Sequence, residues 1–127
     1  FDGPTVAWGS SYSAALIFQL AAEHPDEIAA ILAFSSASGE PMAGCTPEMY
    51  SAMVEQPVLA LRPIGEMDVP YVPGQMALYE RQGHQTYVAD PAVHGSSMLN
   101  DARVGEPVEE TWSVVLGFLD TVFAAEQ

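Results

Sequence analysis

The chain is 127 residues long, one domain's worth, and with 49% hydrophobic residues it can fill a core. Folding a chain of this length buries roughly two thirds of the surface its unfolded form exposes. Its 17 acidic side chains face only Arg62, Arg81 and Arg103, and a formal charge of −14 argues against nucleic acid and anionic membrane surfaces as partners, because phosphate binding takes clustered Lys or Arg. Cys45 is the sole cysteine, which excludes an internal disulfide and a cysteine-based zinc cluster. No stretch approaches the ~18 apolar residues of a membrane-spanning helix.

The predicted elements alternate along the chain. Phe1 leads almost at once into a short apolar strand over 5–9, an opening that implies further chain upstream and leaves the compartment undetermined, with the cytoplasm favoured. A helix over 12–23 follows and ends at His24-Pro25-Asp26, because proline cannot continue it. From Ala14 to Ala22 it is apolar almost all round, as a buried helix is. Residues 28–35 are a continuous apolar run, as in a strand covered on both faces. A turn-rich connection holding Gly39, Pro41 and Gly44 leads to a short helix over 47–55, with Met42, Met49 and Met53 read as packing residues. A third strand over 57–64 has an irregular end at Pro63. A helix over 73–82, closed by Gly83, precedes a fourth strand over 85–89. The last helix, over 107–124, starts at Pro107 and presents Val108, Trp112, Val115, Leu116, Leu119, Val122 and Phe123 as its apolar face.

This alternation predicts a single α/β domain over 1–127: a mostly parallel sheet with right-handed crossovers and helices on both faces. In such sheets chemistry gathers at the carboxyl ends of the strands. His24 and His84 fall at amino ends, whereas His94 follows the fourth strand. Asp68 follows the third, with Glu66 and Asp90 as alternative acids. Gly9-Ser10-Ser11-Tyr12-Ser13 is a strand–turn–helix junction, which forces its middle serine onto a strained backbone with the hydroxyl exposed. Ser11 is therefore the candidate nucleophile, with Ser10 and Ser13 as alternatives and a plain helix N-cap as the competing role. A serine hydroxyl needs an imidazole to take its proton, and the imidazole needs a carboxylate to fix its tautomer. His94 and Asp68 fill those roles, and the backbone N–H of Tyr12 supplies one oxyanion donor. Trp8 and the Tyr12 ring read as core or pocket wall. No cofactor or metal is expected.

With nucleophile, acid and histidine in that order, each after a successive strand, the chain resembles the C-terminal half of the α/β-hydrolase fold. The segments Trp8-Gly9-Ser10-Ser11-Tyr12-Ser13-Ala14-Ala15 and His94-Gly95-Ser96-Ser97-Met98-Leu99 are most similar to cap-less dienelactone-hydrolase-like proteins and esterases. Ser13 departs from the family, which usually has a second glycine there. The resemblance implies hydrolysis of a small ester, lactone or thioester through an acyl-enzyme, with a peptidase on the same scaffold as the alternative chemistry. It also implies that the family's first four strands, and the loop giving its second oxyanion donor, have no counterpart here, so the isolated chain would be nearly inactive. The first strand would then be an open edge, since Thr5-Val6-Ala7-Trp8 carries no charge or internal proline to discourage pairing. Besides a small-molecule ester, the expected partners are a second copy of the chain, as a homo-oligomer, or a missing N-terminal portion; a non-catalytic half-domain is the alternative function.

Overall fold

A parallel strand covered on both faces has no solvent side to carry polar residues, and the two central strands meet that condition. The computed structural model describes residues 3–125, so Phe1, on which the expectation of upstream chain rests, lies outside them. Strands β1 (Val6–Ser10), β2 (Ala30–Phe34), β3 (Val58–Pro63) and β4 (Gln85–Ala89) pair in parallel in that spatial order. β2 and β3 are buried at every position, while the outer strands β1 and β4 are only partly covered. Helices are α1 (Tyr12–Glu23), α2 (Pro47–Ser51), α3 (Val72–Arg81), α4 (Asp101–Val104) and α5 (Glu109–Ala125). The architecture is the expected α/β fold.

Because each strand pairs with the next, every right-handed crossover lands on one face of the sheet. There α1 and α3 pack Ile17, Phe18, Met76 and Tyr79 onto Ile31, Val58 and Ala60, with the Phe18 and Tyr79 rings stacked at 5.1 Å. The opposite face, Leu32, Phe34, Leu59 and Leu61, is covered by Val115, Phe118 and Val122 of α5. Helices thus lie on both faces. Among the described residues no helix is long and apolar enough to cross a membrane.

Several boundaries and faces differ from the sequence expectation. Tyr12, Leu16 and Leu20, one turn apart along α1, are exposed, Leu16 at 46%. This helix packs on the edge strand β1, so one flank has no neighbour and the helix is not buried all round. On α5, Val115 and Val122 are core as expected and Phe118 joins them, while Trp112, Leu116 and Phe123 are exposed. Met42 is buried but Met49 and Met53 are exposed. Helix α2 stops at Ser51, and three 3₁₀ turns, Glu40–Met42, Ile64–Asp68 and Gly95–Leu99, occupy stretches that read as loops. Helix α3 does end as Gly83 requires: its φ of 85° is a left-handed conformation, and the His84 N–H reaches back to the Tyr79 carbonyl at 2.9 Å.

Phe18→Ala removes a fully buried ring from the crossover face and should cost about 3–5 kcal/mol of stability. Urea unfolding checks this: the midpoint should fall while the slope holds.

Candidate active site

The site begins where the β1–β2 ladder runs out. Ser10 is the last residue of β1 and pairs with Phe34. The next amide, Ser11 N–H, donates to the Phe34 carbonyl at 2.9 Å, and the Ser11 carbonyl accepts from Ala37 N–H at 3.1 Å. Between those tethers Ser11 adopts φ 62° and ψ −116°, a conformation that costs a non-glycine residue about 1–3 kcal/mol. Gly9 makes the turn sterically possible, since a Cβ there would lie 2.6 Å from the Ser13 carbonyl group and 2.7 Å from Ala14 N. Ser13, at the position where a second glycine is usual, is exposed and needs no such clearance. The Ser11 side chain makes no capping bond to α1, so the plain N-cap role is not the one it plays. First-turn N–H groups, Tyr12 among them, have no intrahelical acceptor and gather at the residue after the serine.

The loop after β4 is pinned over this junction. Gly95 N–H donates to Ser35 Oγ at 2.9 Å and Ser96 N–H to Ser10 Oγ at 3.0 Å. Both serines stand at the carboxyl ends of their strands and act as acceptors, which gives Ser10 a positioning task. Gly95 has φ 69°, and a Cβ there would overlap the Ser10 hydroxyl. The result is a fixed start for His94.

His94 Nδ1 meets Glu66 Oε2 at 2.5 Å, and Arg62 Nη1 donates to Glu66 Oε1 at 2.8 Å. The carboxylate on the histidine is therefore Glu66 and not Asp68, the acid expected first. Both lie in the 3₁₀ turn Ile64–Asp68, where three residues complete a turn, so side chains two apart leave in different directions. Asp90, the other alternative acid, is exposed just beyond β4 and is not the histidine's partner either. Burial pushes the Glu66 carboxyl up, but the hydrogen bonds from Arg62 and His94 and their charges outweigh it and hold the group below the usual glutamate range. An ionised carboxylate can only accept, so the Glu66 contact fixes a proton on His94 Nδ1, and in the neutral imidazole the lone pair is then on Nε2. That is the tautomer a general base requires.

A cavity of about 450 Å³ opens on the junction, with Ser11, Tyr12, Ser35, Ser38, Tyr71 and His94 in its wall. Ser11 and His94 are brought to this one cavity without a hydrogen bond between them; such bonds often close only around substrate. A larger cavity of about 720 Å³, beside α4 and α5, is lined by Leu99, Trp112 and Leu116 and contains no histidine. Among the described residues no three His, Cys, Asp or Glu side chains converge as a metal site. Arg62 is the site residue that sequence reasoning passed over. Its signal was a lone cation closing the otherwise apolar strand Val58-Leu59-Ala60-Leu61.

No protein-family model and no curated protein matches the sequence. Solved structures do match in fold. A predicted CIB-like hydrolase from Thermoplasma acidophilum superimposes with a TM-score of 0.67 at 18% identity, over 92% of this chain and 51% of that one. Acylaminoacyl peptidase from Pyrococcus horikoshii gives 0.63 at 13% identity, over 97% and 25% of the two chains. An acylaminoacyl peptidase in complex with Z-Gly-Gly-Phe-chloromethyl ketone gives 0.60 at 14%, over 91% and 23%. These are hydrolases of the α/β-hydrolase type, and at such identities the likeness is one of fold. The chain spans about half or less of the length of each. The narrower resemblance to dienelactone-hydrolase-like proteins rests on the sequence segments alone.

The lowered Glu66 pKa has a stability consequence with a definite sign. An unfolded-chain glutamate titrates near about 4.3, and a lower folded value means the contribution is complete above that pH and lost as pH falls through the folded value. Glu66→Gln should therefore destabilise the protein at neutral pH, and its deficit against wild type should shrink below roughly pH 4. Urea titrations of both proteins between pH 7 and pH 3 measure the gap; a deficit that keeps growing below roughly pH 4 contradicts the assignment.

Proposed function

We propose that the chain is a serine hydrolase, or the triad-bearing part of one, with Ser11 as nucleophile, His94 as general base and Glu66 as the acid that orients it. The observation that carries this is the strained Ser11 backbone at the mouth of the cavity that also holds the Glu66-bound His94. His94 Nε2 takes the Ser11 proton as Oγ attacks the acyl carbon. The tetrahedral oxyanion meets the Tyr12 N–H, and His94 returns the proton to the leaving group as the acyl-enzyme forms. Water then repeats the sequence and frees the serine. Small carboxylic esters, lactones and thioesters are the proposed substrates: the cavity is modest in volume, and its wall combines apolar Ala37 and Pro41 with the hydroxyls of Ser38 and Tyr71. The peptidase neighbours share the fold at low identity, and peptide hydrolysis is the alternative within the same mechanism.

Fluorophosphonate labelling tests the reading, because it needs an activated serine but no turnover. Ser11→Ala should abolish labelling, while Ser13→Ala keeps it. Glu66→Gln should slow it by up to ~10⁴, the cost of losing tautomer control, while Asp68→Asn changes little. Labelling that survives Ser11→Ala, or that depends on Asp68 instead of Glu66, would sink this triad.

A second reading, association through the β1 edge, is favoured by its uncovered apolar surroundings: Trp8 is 47% exposed on β1, and Leu16, Leu20, Leu116 and Phe123 are exposed on α1 and α5. Two chains of charge −14 repel, so apolar burial would have to drive a homo-oligomer and added salt should strengthen it. Light scattering at low and high salt should show mass above 13.6 kDa that rises with salt. A monomer at both salt concentrations ends this reading.

A further inference from the structure

Arg62 is the only fully buried charged side chain among the described residues, 2% exposed at the carboxyl end of β3. Its two terminal nitrogens reach three acceptors, while Nε is buried without a partner. Nη1 donates to Glu66 Oε1 at 2.8 Å, and Nη2 donates to the Ser36 carbonyl at 2.7 Å and to Gln75 Oε1 at 2.5 Å. The Tyr71 ring lies 5.9 Å from it. Gln75, itself buried on α3, carries the chain onward: its Nε2 donates to Glu48 Oε1 at 2.6 Å, and Glu48 Oε2 accepts from the Ser38 hydroxyl at 2.6 Å. Ser38 and Tyr71 are wall residues of the cavity shared by Ser11 and His94.

A buried ion pair carries a desolvation cost that an apolar side chain of similar volume avoids, so packing alone does not account for an arginine here. What the planar fork adds is direction: Nη1 and Nη2 leave it at fixed angles and end on Glu66, the Ser36 carbonyl and Gln75. We infer that Arg62 is a positioning residue, holding the Glu66 carboxylate so that Oε2 faces His94 Nδ1 and, through Ser36 and Gln75, holding the cavity wall in register with that pair. The inference rests on the hydrolase reading above. Arg62 acts on the reaction through Glu66 and touches no reacting atom. Lysine would keep the charge but lose the fork, so it is not an equivalent replacement.

The test compares full-chain Arg62→Met, Arg62→Lys, Glu66→Gln and the Arg62→Met/Glu66→Gln double variant. Each is scored by labelling rate per folded molecule and by the ¹⁵N imidazole spectrum of His94. Arg62→Met should slow labelling by ~10–100-fold, the usual cost of removing a supporting partner one contact away, and Arg62→Lys should recover only part of it. The double variant should be no slower than Glu66→Gln alone, because both changes break one path. In the spectrum, His94 should leave the Nδ1–H tautomer in Arg62→Met. Losses that multiply in the double variant, or a merely structural outcome in which Arg62→Met melts earlier yet labels at the wild-type rate, would overturn the inference. If Arg62→Met does not fold, full-rate labelling by Arg62→Lys overturns it equally. If wild type is not labelled at all, the hydrolase reading fails first. The His94 spectrum still decides the role of Arg62, since an unchanged tautomer in either Arg62 variant contradicts it.

Discussion

The hydrogen bond from the Ser11 amide to the Phe34 carbonyl is the constraint from which the site is built. It carries the β1–β2 ladder one residue past the end of the strand, and the Ala37 amide holds the other side of the same residue. A serine tethered at both ends cannot relax to a common backbone conformation, so the cost of its positive φ is sustained by the pairing of two strands. The same strand ends then serve as anchors. Ser10, just before the tethered residue, and Ser35, just after Phe34, accept the two amides that follow His94. Ser11 and His94 are thus referred to one short piece of sheet, and small errors in the longer connections do not accumulate between them.

Charge is used sparingly but with effect at this end of the molecule. Acidic side chains outnumber arginines by 17 to three, and one of those arginines is withdrawn from solvent to face Glu66. Burial on its own would favour the protonated acid, which would donate to His94 Nδ1 and leave the imidazole proton on Nε2. Arg62 and His94 reverse that preference. Nearby Tyr79 shows the opposite balance: burial dominates, its hydroxyl is pushed far up, and it remains a neutral core residue. Arg62 acts on both groups, but it hydrogen-bonds only Glu66, and on Tyr79 its charge is outweighed by burial.

Much of the fold was legible because its signals are periodic. Continuous apolar runs marked β2 and β3, and Pro25, Gly83 and Pro107 marked helix ends close to where they fall. Ser11 and His94 were legible because chain order alone assigns each to the carboxyl end of a strand. Choosing between Glu66 and Asp68 was not possible on that basis. Both occupy the loop after β3, and only the 3₁₀ winding of that loop decides which carboxylate turns toward His94. The outward stripes of α1 and α5 were hidden for a different reason: an apolar residue on a helix reads as core whether or not a neighbour covers it. Their exposure follows from the sheet order, which leaves β1 at an edge.

The strand order also sets a sequence of events during synthesis. All three crossovers lie on one face, so that side of the sheet is roofed as each strand is made. The other side, Leu32, Phe34, Leu59 and Leu61, waits for α5, which follows every strand in the chain. A nascent chain leaves the ribosome from its N-terminus at ~5–20 residues per second, so this apolar surface stands bare for seconds after the strands that form it have emerged. For that interval the half-covered sheet is a substrate for chaperones and a nucleus for aggregation, and the docking of α5 covers this face.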